Sequence, residues 1–121
     1  MALPLALLAL LLAAAPPAAA PARPGLWIGP IRACAGTVAE ATVGEDEFRE
    51  PNLTIRFREG WADVLHRVTA ARVGLPMAIR LDGRVLAAPF VREPIAGGII
   101  AIAPIAAEEG EAIRAAALGR C

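Results

Sequence analysis

The alternation of apolar and polar residues changes period several times along this chain, and each change marks an element. "NLTIRFREG" sets Leu53, Ile55 and Phe57 against Thr54, Arg56 and Arg58, the period-two signature of a half-buried strand. Thr37 to Val43 predicts an earlier strand, ended by the acidic turn Gly44 to Glu47. From Gly60 the period lengthens. Trp61, Val64, Leu65 and Val68 fall at i, i+3, i+4 and i+7, the core-facing stripe of a helix that stops at Gly74 with Pro76 beyond. Alternation returns at Met77, Ile79 and Leu81. Asp82-Gly83 then supplies the residues of a type I′ turn, and Leu86 and Ala88 continue the same face. A two-residue loop sets Leu81 opposite Arg84 and Ile79 opposite Leu86.

Beyond the hairpin the pattern loosens. Pro89 and Pro94 cannot donate to a ladder, so the chain is expected to leave regular pairing or to lie on an edge. Gly97-Gly98 permits a reversal into Ile99 to Ile105, a last strand apolar on both faces. A final helix is predicted from Ala107 to Leu118. Glu108, Glu109 and Glu111 lie near its start, where acidic residues suit the positive end of the helix dipole. Ahead of the first strand, "ARPGLWIGPIRACAG" reads as an extended lead-in with Trp27 packed on the domain. The order predicts an α+β fold, a mainly antiparallel sheet of about five strands with two helices on one face.

Before the lead-in, Leu3 to Ala15 is an uncharged apolar run the length of a signal-peptide core, followed by small residues and proline. Two readings stand. One is an export signal over residues 1–22, cut after Ala22 at Ala20-Pro21-Ala22 to leave a periplasmic or otherwise exported chain from Arg23. The other is an uncut N-terminal anchor, although Pro16 and Pro17 interrupt the run short of the roughly 20 residues that a membrane span needs. Membrane contact is expected only in the second case. The remaining chain divides into the lead-in and first strand, residues 23–52, and an α+β domain, residues 53–121.

Composition narrows the partners. All 12 basic residues are arginine and 12 acidic residues balance them, with both signs interspersed, so no nucleic-acid footprint is present. Cys34 and Cys121 lie near the two ends of the mature domain, and in an oxidising compartment the pair reads most simply as a disulfide, with free thiols and a metal site as the rivals. Closing so long a loop stabilises by at most about 4 to 5 kcal/mol in the chain-entropy model. Two cysteines and one histidine are too few for a structural zinc site, and neither C-x-x-C nor H-x-x-x-H occurs. No metal and no cofactor are expected. His66 points away from the helix stripe and reads as a solvent residue rather than a general base, while Asp82 is explained by the turn it occupies.

The residues "VTAARVGLPMAIRLDGRVLAAPFVREPIAGG" resemble the head of the first periplasmic domain of SecD, a membrane-embedded protein-export subunit. The resemblance falls on Thr69, Val73-Gly74, Leu81-Asp82-Gly83, Val85, Ala88-Pro89, Glu93-Pro94-Ile95, Gly97-Gly98 and Glu108-Glu109, and covers Leu53 to Leu118. It departs at Ala103-Pro104, where the family has a glycine after the last strand, and at Gly110, inside the final helix. The matched stretch carries neither the proton-conducting helices nor the base of the periplasmic domain, so proton-driven export is not implied. The resemblance implies instead a non-catalytic module that contacts extended or translocating polypeptide, or the export machinery itself. Pro89, Phe90, Val91, Pro94 and Ile95 are the candidate contacts and Gly97 and Gly98 a candidate hinge. The alternative is a small cell-envelope structural protein that keeps the fold for packing alone. No Ser-His-Asp set, Cys-His pair or carboxylate dyad recommends an enzyme.

Overall fold

The computed structural model describes residues 23–121; the expected export signal or anchor of residues 1–22 lies outside the described residues. Seven strands and two helices follow in the order β1 (Leu26–Ile28), β2 (Ile31–Ala33), β3 (Val38–Glu45), β4 (Pro51–Phe57), α1 (Glu59–Ala70), β5 (Ile79–Leu81), β6 (Arg84–Ala87), β7 (Ile99–Ile102) and α2 (Ala107–Leu118). The α+β class and the antiparallel pairing agree with the sequence pattern, but the strands form two sheets rather than one. A four-stranded sheet runs β2-β1-β5-β6, and a three-stranded sheet runs β3-β4-β7.

The extra strands come from the lead-in, which is not irregular. Leu26, Ile28, Ile31 and Ala33 alternate inward, and Gly29-Pro30 is the turn of a hairpin whose first strand also pairs with β5. Strands of three residues are too short to declare a period, and the glycines and prolines that read as punctuation are the hairpin's own turn. Trp27 is half-exposed; its indole N–H donates to Pro24 O and the Arg23 guanidinium stacks 4.0 Å above its ring.

In the three-stranded sheet the predicted alternation holds. Leu53, Ile55 and Phe57 of β4 are buried, as are Ile100 and Ile102 of β7 across from Ile55 and Leu53. The final helix has the predicted bounds and sinks Ile113 and Ala117 completely. Gly110 is buried in its first half, where a Cβ would stand 3.3 Å from both Ile105 Cδ1 and Val43 Cγ1. Glu109, near its start, pairs with Arg84 of β6.

Two expectations shift by part of a turn or a residue. In α1 the buried centre is Leu65 and Thr69, with Val64 and Val68 half-buried and Trp61 39% exposed, so the inward face is rotated from the predicted stripe. The rotation brings the Thr69 hydroxyl inside, where it has a backbone partner described below. In the β5–β6 hairpin Leu81 faces Arg84, but an irregularity between Ile79 and Arg80 sets Ile79 opposite Ala87 instead of Leu86. Asp82 (φ 50°) and Gly83 (φ 85°) both lie in the left-handed region that a type I′ turn requires.

Cys34 and Cys121 are bonded to each other, with Cα atoms 5.2 Å apart across a sequence separation of 87. Ala35 N–H donates to Gly119 O (2.7 Å) and Gly36 N–H to Cys121 Sγ (3.2 Å), so backbone bonds hold the same junction.

Candidate functional site

The segment from Pro89 to Gly98 joins β6 to β7 and is held at several points. Met77 N–H donates to Pro89 O and Val91 N–H to Leu75 O, both at 2.9 Å, which makes Pro76 and Phe90 a facing pair outside the named strands. In this geometry the N–H of the paired residues themselves points away from the bridge, so Pro76 loses nothing by lacking one. The segment is therefore not free of pairing, as its prolines suggest, but carries one bridge that prolines can tolerate.

Further along, the Ile95 N–H donates to Thr69 Oγ1 (2.9 Å), and that hydroxyl donates to Leu65 O (2.8 Å) within α1. A fully buried threonine thus links the helix to the segment. The two glycines differ. Gly97 (φ 85°) has open space where a Cβ would be, whereas a Cβ on Gly98 (φ 70°) would lie 2.5 Å from Ala62 Cβ. Gly98 O also accepts the Phe57 N–H (2.8 Å), so Gly98 is the fixed member of the pair.

The five candidate contact residues are brought together in one segment but not with one orientation. Phe90 is 68% exposed, and Pro89 and Pro94 are exposed. Val91 is 6% exposed and belongs to the core, so its side chain is a floor rather than a contact; Ile95 is half-buried against the same core. The physical reason is the bridge at Pro76: it turns Phe90 outward and brings Val91 in.

Beneath Phe90 lies an apolar groove of about 330 Å³, with Ile28 and Ile79 from one sheet, Ile100 and Ile102 from the other, and Val91 and Ile95 from the segment. It opens between the two sheets, along the outer edge of β7. That edge is unpaired because β7 ends its sheet. The edge was not legible in the sequence, where Ile99 to Ile105 reads as a strand buried on both faces. In the structure β7 stops at Ile102 and Ile99 is 53% exposed, across from Arg56. Thr69 and the second bond of Asp82, which accepts the Gly25 N–H at 2.7 Å, were equally unforeseen. The signal for Thr69 was its place four residues after Leu65, on the same side of the helix.

His66 is exposed and borders a separate, open hollow whose lining includes Arg56, Glu59, Asp63 and Gly97. Among the described residues no three of His, Cys, Asp and Glu stand together as a metal site. No described helix is long and apolar enough to cross a membrane.

Comparison with known proteins places this geometry. The family described as SecDF, P1 head subdomain, matches residues 32–118. Protein translocase subunit SecD of Acidaminococcus fermentans is 42% identical over 59 residues, 49% of this chain and 14% of that protein. Protein translocase subunit SecDF of Thermus thermophilus is 35% identical over 71 residues, 59% of this chain and 10% of that protein. A solved structure of SecDF, a membrane component that enhances protein export, superposes with a TM-score of 0.66 at 32% identity, covering 71% of this chain and 40% of that one. SecDF in its super-membrane-facing form gives 0.65 at 32% identity, covering 71% of this chain and 12% of that one. The chain spans between 10% and 40% of these relatives, and the family model places the match in the head: the chain belongs to the SecDF P1 head subdomain family.

Proposed function

We propose that this chain is a non-catalytic, exported binding module of protein secretion that takes up extended or translocating polypeptide at the Pro89–Gly98 segment and the groove beneath it. The observation that carries this reading is the groove itself. It is apolar, open to solvent and bordered by an aromatic ring, Phe90, that the fold leaves 68% exposed. Large apolar side chains held outward beside an apolar cleft are suited to chains that have not yet buried their own. The translocase relatives support a setting in protein export, with the export machinery as the neighbouring partner, and the periplasm is the compartment that the resemblance implies. The disulfide fits an oxidising compartment.

The test is a titration with a reduced and alkylated unfolded protein, followed by backbone NMR. Resonances of residues 89–98 and of Ile99 to Ile102 are expected to shift while those around His66 stay in place. Phe90→Ala should weaken the interaction without loss of stability, because the ring is exposed in the free protein. Saturating client that moves nothing in residues 89–102 would leave the envelope structural protein as the reading.

A further inference from the structure

The edge of β7 specifies how a polypeptide would be held. In an antiparallel ladder the residues that exchange hydrogen bonds with one neighbour alternate with residues whose N–H and C=O point the other way. The Phe57 N–H to Gly98 O bond fixes the phase of the β4–β7 ladder: Gly98, Ile100 and Ile102 turn their backbone groups toward β4. The N–H and C=O of Ile99 and Ala101 therefore turn outward, along the mouth of the apolar groove. Neither residue has another strand beside it among the described residues, and both are exposed.

We infer that the groove takes its polypeptide by strand addition to the free edge of β7, through the backbone groups of Ile99 and Ala101. This rests on the reading of the groove as a polypeptide site. The occupant is an extended peptide segment, because only a main chain in β conformation offers donors and acceptors at the spacing of alternate residues on β7. The register also assigns the side chains. Residues directly opposite each other share a face, and Ile99 points outward beside Arg56 while Ile100 points inward with Ile55. Client residues bonded to Ile99 and Ala101 therefore send their side chains to solvent. The residue between them, opposite Ile100, sends its side chain into the groove toward Ile28 and Ile79. Selection is for alternation of apolar and polar residues and against proline at the bonded positions, not for a sequence.

The probe is a soluble peptide alternating valine and serine with lysine at both ends, offered to the purified chain. Two single N-methylated versions of it are compared, one blocking a central serine amide and one blocking the neighbouring valine amide. Strand addition predicts that methylation at serine weakens binding at least about tenfold, while methylation at valine, whose amide faces away, has little effect; tenfold corresponds to about 1.4 kcal/mol. Equal effects of the two, with the parent peptide bound, overturn the strand-addition mode and leave the groove as a side-chain site. A parent peptide that does not bind overturns the polypeptide reading as well. Ala101→Pro, which removes an outward N–H at an edge position that proline tolerates, should reproduce the loss from the protein side. A dimer of the chain alone that Ala101→Pro dissociates would assign the edge to a second copy and overturn the proposal.

Discussion

The hydroxyl of Thr69, fully buried in α1, accepts the backbone N–H of Ile95 at 2.9 Å and so ties the helix to the segment that borders the groove. Thr69→Val keeps the shape and removes the acceptor, leaving the Ile95 N–H without its partner. The expected cost is about 1 to 3 kcal/mol, the usual penalty for an unsatisfied buried group. Thr69→Ser should recover most of it. Denaturant midpoints measure the cost, and amide exchange at Ile95 should accelerate in the valine variant only.

The two adjacent glycines should respond differently to the same change. Gly97→Ala meets open space and costs only the positive φ, about 1 kcal/mol. Gly98→Ala carries that cost and also drives a methyl into Ala62, so a loss greater by about 1 to 3 kcal/mol is expected. Chemical denaturation of the two variants compares them directly, and equal losses would refute the close packing at Ala62.

At the β5–β6 turn, Gly83→Val places a β-branched side chain at φ 85° and should destabilise by at least about 1 kcal/mol. Asp82→Asn tests something else. It keeps a residue that tolerates positive φ and replaces a carboxylate by a neutral oxygen in the bond to Gly25 N–H. The expected loss is under about 1 kcal/mol, whereas Asp82→Ala loses both features and should cost more. Thermal unfolding of the three variants should find Asp82→Asn the mildest, with Asp82→Ala and Gly83→Val each losing more.

The cysteine pair predicts a protein isolated without free thiols from an oxidising compartment. Mass analysis with and without reductant checks it. Reduction should lower stability by up to about 4 to 5 kcal/mol on loop entropy alone. Because Gly119 O and Cys121 Sγ also accept backbone N–H groups at this junction, the amides of Ala35 and Gly36 should lose protection on reduction.

How much of this was legible in the sequence depended on element length. β4 was read closely because it spans several repeats of its own period, with Leu53, Ile55 and Phe57 on one face; the bounds of α2 were read from its acidic start, while its inner side, Ile113 and Ala117, was not. The β1–β2 hairpin was missed because three residues cannot show a period, and without it the division into two sheets is invisible. The candidate segment was found through the family resemblance together with its prolines and glycines, but the outward Phe90 and inward Val91 depend on a bridge to Pro76, a contact between residues fourteen apart that no local pattern encodes. The free edge of β7 was illegible for the same reason. Whether a strand has a neighbour on each side is a property of the topology, not of its own residues.

The clasp at Gly25 has a mechanical consequence. Its N–H is held by the Asp82 carboxylate and its C=O accepts the Asp82 N–H, so Gly25 is bound on both sides to the tip of the β5–β6 hairpin. A pull on the chain at Arg23 meets this clasp before it meets β1. The load is then shared between the turn and the strand behind it, and β1 is spared the peeling, one bond at a time, to which the end of a sheet is otherwise open. Tension applied from the N-terminal side is in this way met by two elements at once, and the first strand does not unravel alone.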